Sequence, residues 1–310
     1  MAGVRVCVVG CGAVGSLFAA HLARLDNVDV WAYDLDEAHV RAINERGLRL
    51  SGVGELVGRL RATVDANELP PCDFGLVATK SMHTEAAIAA TASAFGGGSV
   101  CSVQNGVGNE EAIAEHVDRV IRGTTFPAGR VVEPGHVHWD VAGDTTIGPF
   151  EPRPAAMDEV ERLADACTAA GMPTEAVPDA RGPQWRKLIF NAATNPLGAL
   201  TGLTHGRVCE DAALRRLVSA LVAEGRAVAG AQGIELDADP EELIDYAARR
   251  DVAYDHKASM LQDVEARRQT EIDYLNGGIA RFGTQYGVPT PLNDALAALV
   301  KGLEASWPAA

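Results

Sequence analysis

Aromatic residues make up only 5% of this 310-residue chain, and basic residues are outnumbered, 27 Lys plus Arg against 42 Asp plus Glu, for a formal net charge of −15. Cores must therefore be built from aliphatic side chains, and a surface of that sign repels polyanions, which removes nucleic acid from the expected partners. The six cysteines, Cys7, Cys11, Cys72, Cys101, Cys167 and Cys209, form no CxxC pair and no cluster with metal-ligand spacing. That pattern reads as the reduced thiols of a cytoplasmic protein, with no metal site. His136 and His138 would share one face of a strand, but two imidazoles without a third ligand do not hold a metal. A long apolar run is also missing. The opening MAGVRVCVVGCGAVG turns into glycine rather than continuing as a secretory signal. The uncharged stretch from Ala86 to Asn109 is built of small residues and broken by Gly96-Gly97-Gly98, so no membrane association is expected.

The composition that remains, 47% hydrophobic and 22% charged, is globular, and the length accommodates two domains. Arg5 to Val9 is a short β-rich run ending at Gly10, and Ser16 to Leu22 has helical composition. Val28 to Tyr33 is a second β run, followed by a helical segment, Glu37 to Arg46, that Gly47 can terminate. Leu48 to Leu50 and Leu56 to Val64 read as extra strands, Phe74 to Thr79 and Ser99 to Val103 as buried strands, and Thr124 to Ile147 as late strands. Alternation of this kind predicts an N-terminal Rossmann domain with a doubly wound parallel sheet, α/β in class, over residues 1–177. Beyond Val177-Pro178 nearly every segment has helical pattern, which predicts an all-α domain over 178–310. Two helix starts are expected there: Thr270 with Asp273 at capping-box spacing, and Thr290 ahead of Pro291.

Gly10-Cys11-Gly12-Ala13-Val14-Gly15 is G-x-G-x-x-G placed directly between a strand and a helix. Such a turn brings backbone amides and a helix N-terminus against a pyrophosphate. Asp34, at the end of the second strand, is placed to bind the ribose hydroxyls of a dinucleotide and to repel a 2′-phosphate, which favours NAD over NADP. The alternative is that Asp34 caps the next helix. Lys80 and Asn105 each follow a strand at the carboxyl edge of the sheet, where doubly wound folds bind their ligands. Past the boundary, Lys187, Asn191 and Asn195 recur every four residues in WRKLIFNAATNPL and form one polar stripe on an otherwise apolar helix. Buried polar groups need partners, so the stripe is expected to line a site that a polar ligand enters. Pro196 removes a backbone donor beside it. Spacing alone makes Glu271 an ordinary acid in the first turn of a helix.

Taken in order, GCGAVG, ATKSMHT, VQNGVG, WRKLIFNAATNPLGALTG and SMLQDVEARRQTEIDYLNG make the chain resemble the ketopantoate reductase (2-dehydropantoate 2-reductase) family over essentially its whole length. The resemblance implies a Rossmann domain plus a helical domain with the site in the cleft, a homodimer, and a nicotinamide-dependent reductase of a small 2-keto acid. It makes Lys187 the catalytic acid and Glu271 the carboxylate that orients it. Asn191, Asn195, Ser259 and His256 become substrate ligands, and Lys80 and Asn105 cofactor contacts that help place Lys187. Two departures stand out. Tyr33-Asp34-Leu35-Asp36 lacks the Arg common in members that use NADP, the family default, and His256 replaces a frequent Asn. They leave open an NAD-dependent dehydrogenase acting on another 2-hydroxy acid or ketone, as in specialised metabolism. A non-catalytic dinucleotide sensor would require a degraded site, whereas Lys187, Asn191, Asn195, Ser259 and Glu271 are all present.

Overall fold

The Val- and Cys-rich run Val4–Val9 forms β1, its last four residues buried on both faces as a central parallel strand requires. Residues 3–308 are described by a computed structural model. Eleven further strands follow: β2 (Val28–Tyr33), β3 (Leu48–Gly52), β4 (Leu56–Gly58), β5 (Arg61–Thr63), β6 (Phe74–Val77), β7 (Ser99–Ser102), β8 (Val120–Thr125), β9 (Ala128–Glu133), β10 (His136–Val141), β11 (Thr145–Pro149) and β12 (Thr174–Ala176). Helices α1 (Ala13–Leu22), α2 (Glu37–Arg46), α3 (Thr84–Thr91), α4 (Asn109–Ala114) and α5 (Met157–Ala169) lie between them. The main sheet runs β12-β11-β8-β7-β6-β1-β2-β5, parallel except where β11 meets β8. Its order reverses between β1 and β6, the switch point at which doubly wound sheets bind ligands. A second sheet, β4-β3-β10-β9, packs on α1 from the other side. That helix is accordingly buried from Gly15 to Leu22, as an apolar helix between two layers must be.

The chain divides into two compact units. The first runs through Gln104 and resumes at Asn109–Ala180; the second takes Asn105–Gly108 and the described residues from Arg181 onward. The division at Ala180 falls three residues after the expected Val177. The short excursion differs from two contiguous domains, and its cause is local: Val107 N donates to Tyr274 O at 3.1 Å, and the Arg281 guanidinium donates to Val107 O at 3.3 Å.

The second unit is all helix: α6 (Arg181–Thr201), α7 (His205–Glu210), α8 (Ala212–Ala231), α9 (Pro240–Ala247), α10 (Ser259–Glu265), α11 (Asn276–Tyr286) and α12 (Pro291–Ala305). Leu188, Ile189, Ala192, Ala193 and Leu197 of α6 are almost fully buried against the helices around it. Each buried leucine or isoleucine contributes roughly 1.5–3 kcal/mol, so α6 is held by packing rather than by propensity. Gly202, in the left-handed region at φ +74°, ends it.

Two expectations need correction and a third is met. Leu56 to Val64 is two strands in different sheets, β4 and β5, not one. No helix starts at Thr270: residue 271 is a bend, residues 272–275 are turns, and α11 begins at Asn276. The Thr270 hydroxyl donates to Glu304 at 2.6 Å and accepts from Ile272 N at 3.3 Å, and Asp273 pairs with Lys301 at 2.9 Å rather than reaching back to the Thr270 amide, so the reciprocal bonds of a capping box do not form. Thr290 is the N-cap residue of α12 ahead of Pro291, as expected, and its hydroxyl donates to the Asp294 carboxylate at 3.2 Å.

The glycine turn itself is forced by contact. A Cβ on Gly15 would lie 2.0 Å from the Gly10 carbonyl oxygen, and one on Gly10, at φ +86°, would meet Thr79 at 2.6 Å. Backbone cannot yield as a flexible side chain can. Gly15→Ala should therefore cost on the order of 3 kcal/mol and lower the Tm by several degrees, measurable by thermal melts of the purified variant; an unchanged Tm would contradict the close packing of α1 on its turn.

Candidate active site

At the switch point the glycine turn meets an acid. Asp34 Oδ2 accepts from Cys11 N at 2.7 Å and Oδ1 from Asp36 N at 2.9 Å, which fixes the carboxylate at the tip of β2, beside the turn. Asp34 does not cap α2. That role belongs to Asp36, whose Oδ1 accepts from Ala38 N and His39 N. Gly12 N-caps α1, and among the described residues, its two chain neighbours aside, no atom lies within 4 Å of the place where its Cβ would sit, so that side of the turn is open. These features fit the pyrophosphate and ribose of a dinucleotide. Ala13 and Val14 begin the helix, and Ser16 Oγ donates to Cys11 O at 2.8 Å, tying the turn to the first helical residues. The Cys11 thiol is fully buried, and desolvation pushes its pKa up to about 12, which makes it a packing group rather than a nucleophile.

The neighbouring strand ends are joined by a residue the sequence reading passed over. Gln104 Nε2 donates to Thr79 O at 2.9 Å and to Thr84 Oγ1 at 2.7 Å, and Thr84 Oγ1 donates to Asn109 Oδ1 at 3.0 Å. The amide thus clamps the segment leading into Lys80 to the segment leading into Asn105. Lys80 stands half-buried after β6, whereas Asn105 goes with the second unit, in the stretch held by Tyr274. A signal existed: glutamine directly before Asn-Gly at the end of a buried strand has few places to send its amide except along the sheet edge.

In the second unit Lys187, Asn191 and Asn195 follow one another on one face of α6, as the four-residue spacing predicts. Asn191 and Asn195 are buried, and Lys187 is partly so. Glu271 is buried as well, in the turns ahead of α11, where its carbonyl accepts from Tyr274 N and Leu275 N. Desolvation lowers the Lys187 pKa to about 8, and the Glu271 charge opposes that fall. The two are therefore brought together electrostatically although 84 residues separate them. Ser259 is the exposed first residue of α10, and His256 is half-buried in the preceding loop, its carbonyl accepting from His205 N at 3.1 Å. Burial pushes the His256 pKa down, so the ring is neutral near pH 7. Away from these groups, His136 and His138 converge on one hydroxyl, Ser51 Oγ, at 2.8 and 3.2 Å.

A doubly wound sheet that offers this turn and acid, joined to a helical unit with a desolvated lysine, is the apparatus of a dinucleotide-dependent oxidoreductase. Comparison with known proteins narrows the class. The family described as Ketopantoate reductase PanE/ApbA matches residues 6–152, and its C-terminal counterpart matches 179–304. The chain belongs to the ketopantoate reductase family, and it is an NAD(P)-dependent oxidoreductase acting on a CH–OH group. It is 34% identical to a 2-dehydropantoate 2-reductase of Pyrococcus abyssi over 303 residues, covering 97% of this chain and 98% of the other. Among solved structures, a PanE/ApbA family ketopantoate reductase from Ralstonia eutropha JMP134 superposes with a TM-score of 0.86 at 32% identity, covering 97% and 98% of the two chains. A ternary structure of D-mandelate dehydrogenase with NADH and anilino(oxo)acetate reaches a TM-score of 0.88 at 27% identity, covering 97% and 99%. Among the described residues, no helix is long and apolar enough to cross a membrane.

The electrostatic pairing has a measurable sign. Removing the Glu271 charge leaves desolvation unopposed, so in Glu271→Gln the Lys187 amine should titrate below the value of about 8 that it has beside Glu271. NMR titration of the labelled lysine side chain would show this; a pKa that stays put or rises would dissociate the two groups.

Proposed function

We propose that this protein reduces a small 2-keto acid to the corresponding 2-hydroxy acid with NADH, 2-dehydropantoate to pantoate by default, with Lys187 as the general acid. The observation that carries the reading is the partly desolvated Lys187 ammonium, near pKa 8, facing buried Glu271 on a stripe shared with Asn191 and Asn195. An amine poised near the working pH is mostly protonated at pH 7 and still a competent acid, which is what carbonyl reduction asks of it. When bound, the reduced nicotinamide supplies the hydride.

The chain's own residues would do the rest. Lys187 Nζ donates a hydrogen bond to the keto oxygen, stabilises negative charge as it develops there and transfers the proton to that oxygen. Glu271 keeps the amine charged and aimed. Asn191 and Asn195 present amide donors to the carboxylate and hydroxyl oxygens of the substrate, with Ser259 and His256 as further candidate ligands. The glycine turn from Gly10 to Gly15, Asp34, Lys80 and Asn105 would hold the dinucleotide. NADH is favoured over NADPH because Asp34, fixed by Cys11 N, and Asp36 beside it put negative charge where a 2′-phosphate would come.

One observation supports a second reading with the same chemistry. D-mandelate dehydrogenase, a neighbour solved with NADH, has as its namesake compound a 2-hydroxy acid other than pantoate. An NAD-dependent dehydrogenase for another 2-hydroxy acid is therefore the alternative, and His256 at the substrate edge is the residue that favours it.

Lys187→Ala should lower kcat for keto-acid reduction by about 10³-fold, in the range of general acid catalysis, while the NADH dissociation constant, read by fluorescence titration, changes less than about threefold. Wild-type kcat in that variant would refute the assignment. The charged amine is the active form, so kcat should fall as pH rises through about 8.

A further inference from the structure

Pro196 lies within α6, one residue past Asn195. A proline there cannot donate to the carbonyl of Ala192, one turn earlier. Ala192 is buried, so water does not replace the missing donor. A helix normally offers no unpaired acceptor at mid-span, and this one does so between two residues of the polar stripe.

The carbonyl is taken by another helix. Asn276 Nδ2 donates to Ala192 O at 2.9 Å and to Asn293 Oδ1 at 3.0 Å. Asn293 Nδ2 in turn donates to Glu224 Oε2 at 2.8 Å, and Glu224 also accepts from the backbone amides of Leu292 and Asn293 in the first turn of α12. Asn276 and Asn293 have no exposed surface at all. The chain of bonds runs from α8 through α12 and α11 into α6. Its amide orientation is dictated, because both neighbours of Asn276 Nδ2 are acceptors, and the cost is visible: Asn276 Oδ1 is buried without a partner. An apolar side chain would avoid that cost, so the residue is there for its two donors.

Asn276 opens α11 immediately after the turns that carry Glu271, and Ile272 O accepts from Gly277 N at 3.0 Å, making turn and helix start one piece. We propose that Asn276 is a positioning residue for the reaction. By occupying the carbonyl that Pro196 leaves unpaired, its amide holds the Glu271 turn in register with Lys187, Asn191 and Asn195 on α6. The inference rests on the roles proposed above for Lys187 and Glu271.

The test is a cycle of Asn276→Ala and Pro196→Ala in the full-length enzyme, read by kcat, its pH profile and Tm. Asn276→Ala should lower kcat about tenfold and move the alkaline limb to lower pH, because a displaced Glu271 no longer supports the Lys187 charge. In the Pro196→Ala background residue 196 regains its N–H, the Ala192 carbonyl is satisfied within the helix, and removing Asn276 should cost only about twofold in kcat and less in Tm. Equal losses in both backgrounds with an unmoved alkaline limb would make Asn276 a core filler and overturn the proposal. If Asn276→Ala alone yields no folded protein, the double variant must restore it; failure to do so overturns the proposal equally. The Tm arm reads the clamp alone, so it still decides if Lys187→Ala retains turnover and the catalytic reading falls.

Discussion

An ammonium group taken partly out of water on an apolar helix is unfavourable unless a carboxylate faces it, and the second unit is arranged to meet that condition at Lys187. The opposing effects are both visible in one group: desolvation pulls its pKa down to about 8, and the Glu271 charge limits the fall. A surface lysine would titrate too high to be a good acid near neutral pH, and a fully unpaired buried one would be neutral. The helix that carries the lysine is fixed by packing and by hydrogen bonds. Leu188, Ile189, Ala192 and Ala193 bury α6, and the Glu224–Asn293–Asn276 chain reaches the same helix from three others.

The first unit depends on a different constraint, close approach of backbone to backbone. Gly10 and Gly15 are required because any Cβ would strike Thr79 or the Gly10 carbonyl, whereas Gly12 is left facing open space. Asp34 is not free to choose a partner, since Cys11 N already holds one carboxylate oxygen. A rigid turn with a fixed acid needs no motion to present its amides and carboxylate.

Local features were legible in the sequence and distant ones were not. The bounds of β2 and α2, the glycine turn and the Lys187–Asn191–Asn195 face all follow from periodicity or from the residues a turn demands, and each is decided within a dozen residues. Thr270 misleads because both its amide and its hydroxyl are held by Glu304, 34 residues away. Asn105–Gly108 reads from sequence as part of the first domain because nothing nearby announces Tyr274 as its partner. Gln104 and Asn276 escaped notice for the same reason, although Pro196 had already marked an unpaired carbonyl. Glu271 was an ordinary acid by spacing, and only family resemblance promoted it, since its pairing with Lys187 spans 84 residues.

The proposed preferences for cofactor and substrate rest on two features of the chain: Asp34 with Asp36 at the tip of β2, and His256 ahead of α10. Initial rates of NADH and NADPH oxidation, measured side by side with 2-dehydropantoate and a set of other 2-keto acids, put both to the test. The account predicts faster turnover with NADH and a 2-keto acid as substrate, 2-dehydropantoate or a relative of it. Turnover only with NADPH would contradict the role given to Asp34, and no oxidation of either cofactor with any 2-keto acid would contradict the proposed reaction.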